Sequence, residues 1–293
     1  MTLTTLALSV DTGVAHLELN RPDALNAMNR PFWGEMIEAF DTIAADPSIR
    51  CVVISGRGRH FCAGLDLKDF TGLFESDDGD GSGGDPGRER ERLRRTVLSM
   101  QETFSVIERC RVPVLAAIHG ACIGGGVDLI SACDCRYASR DAFVSIQEIN
   151  IGIAADVGSL QRMPHLMPQG VVREMAFTGE KMAADRAMQY GLYNDVFDTR
   201  EAMMDRVMEI ARTIASKSPL AMTGTKEMLN YTRDHSVQDG LNYVATWNAA
   251  MLINPDVRAA IAAQLSRTEA SFGDLWPADP ILGSRAGKKS GTA

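Results

Sequence analysis

Three carboxylates stand where carboxylates are normally excluded. Asp128 lies two residues after a run of glycines in the otherwise apolar segment GVDLISAC, Glu148 follows an apolar run that ends at Ile146, and Asp156 sits in IGIAADVG. Desolvating an ionised carboxylate is costly, so an acid in an apolar stretch needs a partner or a task. A helix cap, or a pairing with Arg136 or Arg162, would account for any one of them. Three within 29 residues point to general acid–base chemistry.

Two glycine turns supply the complementary chemistry. Gly124-Gly125-Gly126 follows an apolar strand pattern and opens a helix, yet neither GxGxxG nor GxxxxGK[ST] fits over it, so neither nucleotide fingerprint is present. Glycine lets the backbone approach a ligand closely, and the unpaired N–H groups at a helix start attract developing negative charge. In HFCAGLDL, residues 60–67, Ala63-Gly64 permits a tight bend that turns the Leu65 N–H toward a ligand. Two such turns can make the halves of an oxyanion hole. Backbone donors with carboxylates suit proton transfer next to a carbonyl whose enolate must be stabilised. There is no GxSxG elbow, and the five histidines (16, 60, 119, 165 and 235) form no metal-ligand spacing. His60 and His119 each adjoin a glycine turn and suit structural or ligand-lining roles. No metal or cofactor is indicated.

The elements that must position these groups alternate between strand and helix. Thr5–Ser9 and Val14–Leu19 read as strands. Trp33, Met36, Ile37 and Phe40 then fall at helical spacing. Cys51–Ser55 is a buried strand, residues 93–109 carry a helical stripe, and Val112–Ile118 is another strand. A helix from about Gly126 to Cys133 precedes strands at Cys135–Ala138 and Ala142–Ile146. This alternation predicts an α/β fold for residues 1–199. From about residue 200 the pattern is helical only, with a stripe at Val207, Ile210, Ala211 and Ile214 and further helices over 220–232, 236–253 and 256–269. That much apolar helical surface, over 200–275, should pack on the α/β body or on a second subunit. The acidic, glycine-rich stretch 76–87 reads as a mobile surface loop, and 276–293 as a flexible tail. The mixed-sign run Arg88–Arg95 reads as an exposed helix face with i,i+4 ion pairs, a ligand phosphate being the alternative.

Composition narrows the function classes. The 293 residues are 45% hydrophobic and 23% charged, the balance of a globular chain with a large core. Thirty basic against 38 acidic residues give a net charge of −8, which argues against a general affinity for nucleic acid or anionic membrane. Six cysteines at 51, 62, 110, 122, 133 and 135 form no CxxC pair and suggest reduced thiols. With no secretory pattern in residues 1–19, no membrane-length apolar run and no SKL-type terminus, the expected address is cytoplasmic.

At the glycine turns the sequence resembles a known family. HFCAGLDL together with HGACIGGGVDLISACDCRYASRDAF, preceded by LNRPDALNAM, is similar to the enoyl-CoA hydratase/isomerase (crotonase) superfamily. QEINIGIAADVGSLQRMP and TRDHSVQDGLNYVATWNAAML look like its Δ3,5-Δ2,4-dienoyl-CoA isomerases, and the likeness runs from roughly residue 8 to 265. The resemblance implies a crotonase-like spiral of β-β-α units with a helical C-terminal oligomerisation region that makes trimers or dimers of trimers. It implies an acyl-CoA thioester as substrate, CoA being part of the substrate rather than a cofactor, and a place in fatty acid β-oxidation. Family oxyanion donors match the N–H groups of Leu65 and Gly125, and Ala63, Gly64, Leu65, Asp66 and Leu67 would line the thioester. The two acids of hydratases match Asp128 and Glu148, and the isomerases' third acid matches Asp156, where hydratases commonly carry glycine. The implied reaction moves a proton from C2 to C6 of a 3,5-diene, with Glu148 and Asp156 as base and acid in either direction and Asp128 orienting them. Asn150 departs from the family's aspartate. The alternatives are a hydratase acting on 2-enoyl-CoA and an acyl-CoA-binding protein without turnover.

Overall fold

The computed structural model describes residues 3–70 and 85–277. The chain opens with a hairpin, β1 (Leu6–Asp11) and β2 (Val14–Leu19), whose two-residue connection Thr12-Gly13 has positive φ at both positions, as a tight hairpin turn requires. Helix α1 (Arg30–Ala45) then buries Phe32, Met36, Ala39, Phe40 and Ile43 and returns the chain to β3 (Cys51–Gly56), parallel to β2. Every residue of β3 is buried, which explains its continuous apolar sequence: a central parallel strand is covered on both faces.

Helix α2 (Pro86–Arg109) leads to β4 (Val114–Ile118), and a short strand β5 (Ala121–Ile123) enters helix α3 (Gly125–Ser131). Strands β6 (Cys135–Ser139) and β7 (Phe143–Ser145) follow. After them come α4 (Ser159–Arg162), α5 (Gln169–Thr178), β8 (Met182–Ala183), α6 (Ala184–Gln189) and β9 (Asp195–Phe197). The chain then continues through α7 (Arg200–Ala215), α8 (Pro219–Arg233), α9 (Val237–Met251) and α10 (Pro255–Ser266). One sheet has the order β1-β2-β3-β4-β6-β9, parallel except for the first hairpin, and a smaller one has the order β5-β7-β8.

Several expected boundaries move. The strand expected from Val112 starts at Val114, because Pro113 has no N–H for the ladder and the Val112 carbonyl accepts from Lys226 instead. β5 was not anticipated, being three residues long. Helix α2 starts at Pro86, inside the stretch expected to be a loop; Asp85 caps it by accepting from the Gly87 N–H at 2.9 Å. The rest of that loop, 76–84, and the tail from 278 lie outside the described residues. The mixed-sign run is an exposed face of α2, with Arg95 paired to Glu91 at 2.8 Å.

The helical part expected from residue 200 opens with a helix that packs on the sheet. Met203, Val207, Ala211 and Ala215 of α7 pack on Val14, Cys51, Val53, Leu115 and Tyr137, covering the opposite sheet face from α1. This helix therefore packs on the α/β body, and Leu229, Val237, Leu241, Ile261 and Leu265 of the three helices after it are exposed. Lys226 on α8 is buried, donating to Asp134 at 2.7 Å and to the carbonyls of Ile107 and Val112, and so pins that helix to the body. All six cysteines are free thiols. Among the described residues no helix is long and apolar enough to cross a membrane.

Candidate active site

The first oxyanion candidate is set by a stitched loop. Asn26, buried and in the left-handed region, accepts from the Arg21 N–H at 2.9 Å and donates to the carbonyls of Arg57 and His60 at 2.9 and 2.8 Å. It thereby binds the segment before α1 to the turn after β3. Met28 pairs alongside Leu65: its N–H donates to the Gly64 carbonyl (2.8 Å) and its carbonyl accepts from the Asp66 N–H (3.0 Å). This parallel register turns the N–H of Leu65 away from Met28, toward the cavity. Gly64 must be glycine, since φ is +89° and a Cβ would stand 3.1 Å from the Ile123 carbonyl.

The second candidate lies across a bridge between Cys62 and Cys122. Gly124 has φ +51° and donates to the Ser145 carbonyl at 3.0 Å; Gly125 is the first residue of α3, so its N–H has no acceptor within the helix. A Cβ at Gly124 would come within 2.9 Å of Glu148 Oε1, and one at Gly125 within 2.8 Å of Met28 Sδ. The glycines thus leave room for the Glu148 carboxylate and the Met28 thioether above the helix start.

These groups line one cavity of about 380 Å³. Ala63, Gly64, Leu65, Leu67, Gly124, Gly125, Glu148 and Asp156 contribute to its wall, with Met28, Trp33, Met100, Ile151, Ile153 and Val157 as its apolar part. Two expected residues are absent from that wall. Asp66 turns its carboxylate onto Arg21 at 3.1 Å, so its side chain does not line the site. Asp128 is fully buried behind the wall and accepts from the Ser159 N–H at 2.5 Å. It can reach substrate only through its neighbours.

All three acids are raised from their ordinary values. Burial, augmented by the Glu148 charge, pushes Asp128 up to about 7 against the opposing hydrogen bond from the Ser159 N–H. Burial also raises Glu148, helped by Asp156, and raises Asp156, the most exposed of the three. Asp128 Oδ2 and Glu148 Oε2 are buried without a hydrogen-bond partner. Neither arginine suggested as a partner serves these acids: Arg136 donates to backbone carbonyls of Leu192 and Cys133, and Arg162 pairs with Glu108 at 3.2 Å. Asn150 donates to Gln147 at 2.8 Å and is absent from the cavity wall. His60 accepts from the Ala121 N–H at 3.1 Å and His119 bonds the Gly58 carbonyl at 3.0 Å, so both are structural.

A family model described as Enoyl-CoA hydratase/isomerase matches residues 9–274. The chain belongs to that family. It is 48% identical over 262 residues to the human mitochondrial Δ3,5-Δ2,4-dienoyl-CoA isomerase, covering 89% of this chain and 79% of that one. It is 44% identical over 274 residues to the peroxisomal Δ3,5-Δ2,4-dienoyl-CoA isomerase of Arabidopsis thaliana, covering 94% and 98%. Among solved structures, the enoyl-CoA hydratase of Bacillus anthracis superposes with a TM-score of 0.82 at 26% identity, covering 92% of this chain and 99% of that one. The crotonase fold class expected from the motifs is therefore correct. The cytoplasmic address is not upheld, because these isomerase relatives are mitochondrial and peroxisomal by name. The expectation rested on missing signals, which are weak grounds for a location.

The sequence did not mark Asn26, Ser159, Trp33 or Met100 as site residues. Asn26 acts by bonding the carbonyls of Arg57 and His60, contacts set by the fold rather than by its local sequence. The others come from segments whose approach to the site depends on the packing of α1, α2 and α4.

Proposed function

We propose that this member of the family is a Δ3,5-Δ2,4-dienoyl-CoA isomerase. The observation that carries the reading is that two carboxylates, Glu148 and Asp156, line the same cavity as the Leu65 and Gly125 backbone donors. Moving a 3,5-diene into 2,4 conjugation takes a proton from C2 and delivers one to C6, too far apart for one carboxylate to serve both easily. The thioester carbonyl accepts from Leu65 and Gly125, which stabilise the dienolate. Glu148, beside Gly124 at the oxyanion end, takes the C2 proton; Asp156, protonated at the start, gives its proton to C6. The pair then exchanges one proton with solvent to reset. The raised affinity of both acids for protons favours this shared-proton state. Asp128, one layer back, orients Ser159 and tunes the pair. Every step uses carboxylates and amides of this chain.

The assembly we propose is a homotrimer or a dimer of trimers. Exposed Leu229, Val237, Leu241, Ile253, Ile261 and Leu265 on or beside α8, α9 and α10 support it, Ile253 being 90% exposed in the isolated chain.

The decisive experiment supplies 3,5-dienoyl-CoA and follows the absorbance of the conjugated 2,4-dienoyl product. Asp156→Asn should lose conversion by ~10²-fold or more yet still exchange the C2 proton with deuterium oxide, while Glu148→Gln should lose both. Dominant hydration of 2-enoyl-CoA by the wild type, or full conversion by Asp156→Asn, would transfer the assignment to a hydratase. Tight thioester binding without any turnover would leave only a binding protein.

A further inference from the structure

We propose that Arg162, locked by Glu108, is the positioning residue for the second acid of the site, an inference that rests on the isomerase reading above. Asp156 sits on an irregular segment between the 3-10 turn Glu148–Ile151 and α4. Such a segment does not fix a carboxylate by its own backbone ladder, so something must hold it from behind. On its far side lies a second, polar cavity of about 460 Å³, which shares Val157 with the active-site cavity. The segment is therefore a thin wall between two spaces, and Arg162 fills the gap behind it.

The guanidinium packs directly on the backbone it supports. A Cβ at residue 158 would overlap Arg162 Nη1, which is why glycine, with φ +138°, stands there. Nη1 also reaches the Val157 carbonyl at 3.4 Å, and Nη2 reaches Ser105 Oγ at 3.3 Å. Nε and Nη2 both donate to Glu108 Oε2 at 3.2 Å, which fixes the plane of the fork. Glu108 is held in turn by Arg233 at the end of α8. On the same side, lining the same polar cavity, Gln101 Nε2 donates to the Asp156 carbonyl at 2.7 Å. The brace touches residues 157 and 158; the preceding residue is the proposed C6 acid, and the following one, Ser159, gives its N–H to Asp128. One planar cation thus sets the backbone that carries Asp156 and the amide that holds Asp128. Lysine, a point charge without a fork, cannot hold the two sides together.

The test compares Arg162→Met, Arg162→Lys and the isosteric Glu108→Gln with wild type, using 3,5-dienoyl-CoA in deuterium oxide. Conversion to the 2,4-diene reports delivery at C6, and deuterium entering C2 reports the Glu148 half alone. Arg162→Met should lower conversion by ~30-fold or more while C2 exchange and KM stay within ~3-fold, because misplacing an acid by an ångström costs up to ~10²-fold. Added guanidinium should restore part of the loss, Arg162→Lys should recover little, and Glu108→Gln should show the same selective loss on a smaller scale. Backbone amides of residues 156–159 should exchange faster in Arg162→Met with no change elsewhere in the body. Parallel loss of conversion and C2 exchange, or unchanged conversion, would overturn the proposal; if Arg162→Met does not fold, the same criteria applied to Glu108→Gln decide it. A wild type that fails to convert the substrate refutes the isomerase reading instead, and the local amide exchange of 156–159 then decides separately whether the brace exists.

Discussion

Replacing Asp128 by asparagine should stabilise the protein at alkaline pH and leave it nearly unchanged in acid. The carboxyl is fully buried, accepts one hydrogen bond from the Ser159 N–H, and has its second oxygen unpartnered beside an equally unpartnered Ser159 hydroxyl. A carboxyl whose native affinity for protons is raised favours folding most below its unfolded pKa, and the advantage is lost as pH rises through the native value. Here that window runs from 3.8 to about 7. At about 1.4 kcal/mol per pH unit, the whole window corresponds to roughly 4 kcal/mol, and the part above about pH 5 to roughly 3 kcal/mol. Asparagine keeps the acceptor for Ser159 N–H, carries no charge to desolvate, and can donate to Ser159 Oγ. Urea denaturation of both proteins at equal concentration, at about pH 5 and about pH 8.5, should therefore show the variant gaining on wild type by at least ~1.4 kcal/mol between the two conditions. A stability difference that does not change with pH, or a variant that is less stable than wild type in alkali, would refute the account of Asp128 as a buried charge without compensation.

Three further outcomes are expected. Gly125→Pro removes a proposed oxyanion donor and should lower turnover by ~10²–10³-fold, which steady-state kinetics on the dienoyl substrate will read. Lys226→Met removes the buried ammonium that donates to Asp134 and to the Ile107 and Val112 carbonyls and should destabilise the chain by about 3 kcal/mol, seen as a lower denaturation midpoint with the active-site residues intact. Sedimentation at micromolar concentration should give a species of three or six chains; a monodisperse particle near the 31.8 kDa of one chain would reject the assembly.

The residue types alone pointed to the acid–base chemistry beside a stabilised oxyanion that we propose. Acids in apolar runs and glycines at a strand-to-helix turn are costly locally, and that cost is visible without a fold. The alternation of strand and helix was legible for the same reason: each element buries one periodic face, and the period is written in the chain from β1 to α3. Short pieces were not legible. β5 has three residues and β8 two, too few to carry a period, and both exist because neighbouring strands complete their hydrogen bonds. The division of labour among the acids was also a tertiary matter. Asp128, Glu148 and Asp156 look alike in sequence, but α3 points Asp128 into the interior while the segments after β7 put Glu148 and Asp156 on the cavity wall. Asp66 is adjacent to a lining residue in sequence and yet faces Arg21, because the extended backbone paired with Met28 sends successive side chains to opposite sides. Local cost marks which residues are exceptional; only long-range packing decides which of them meet, since that depends on distances between segments far apart in the chain.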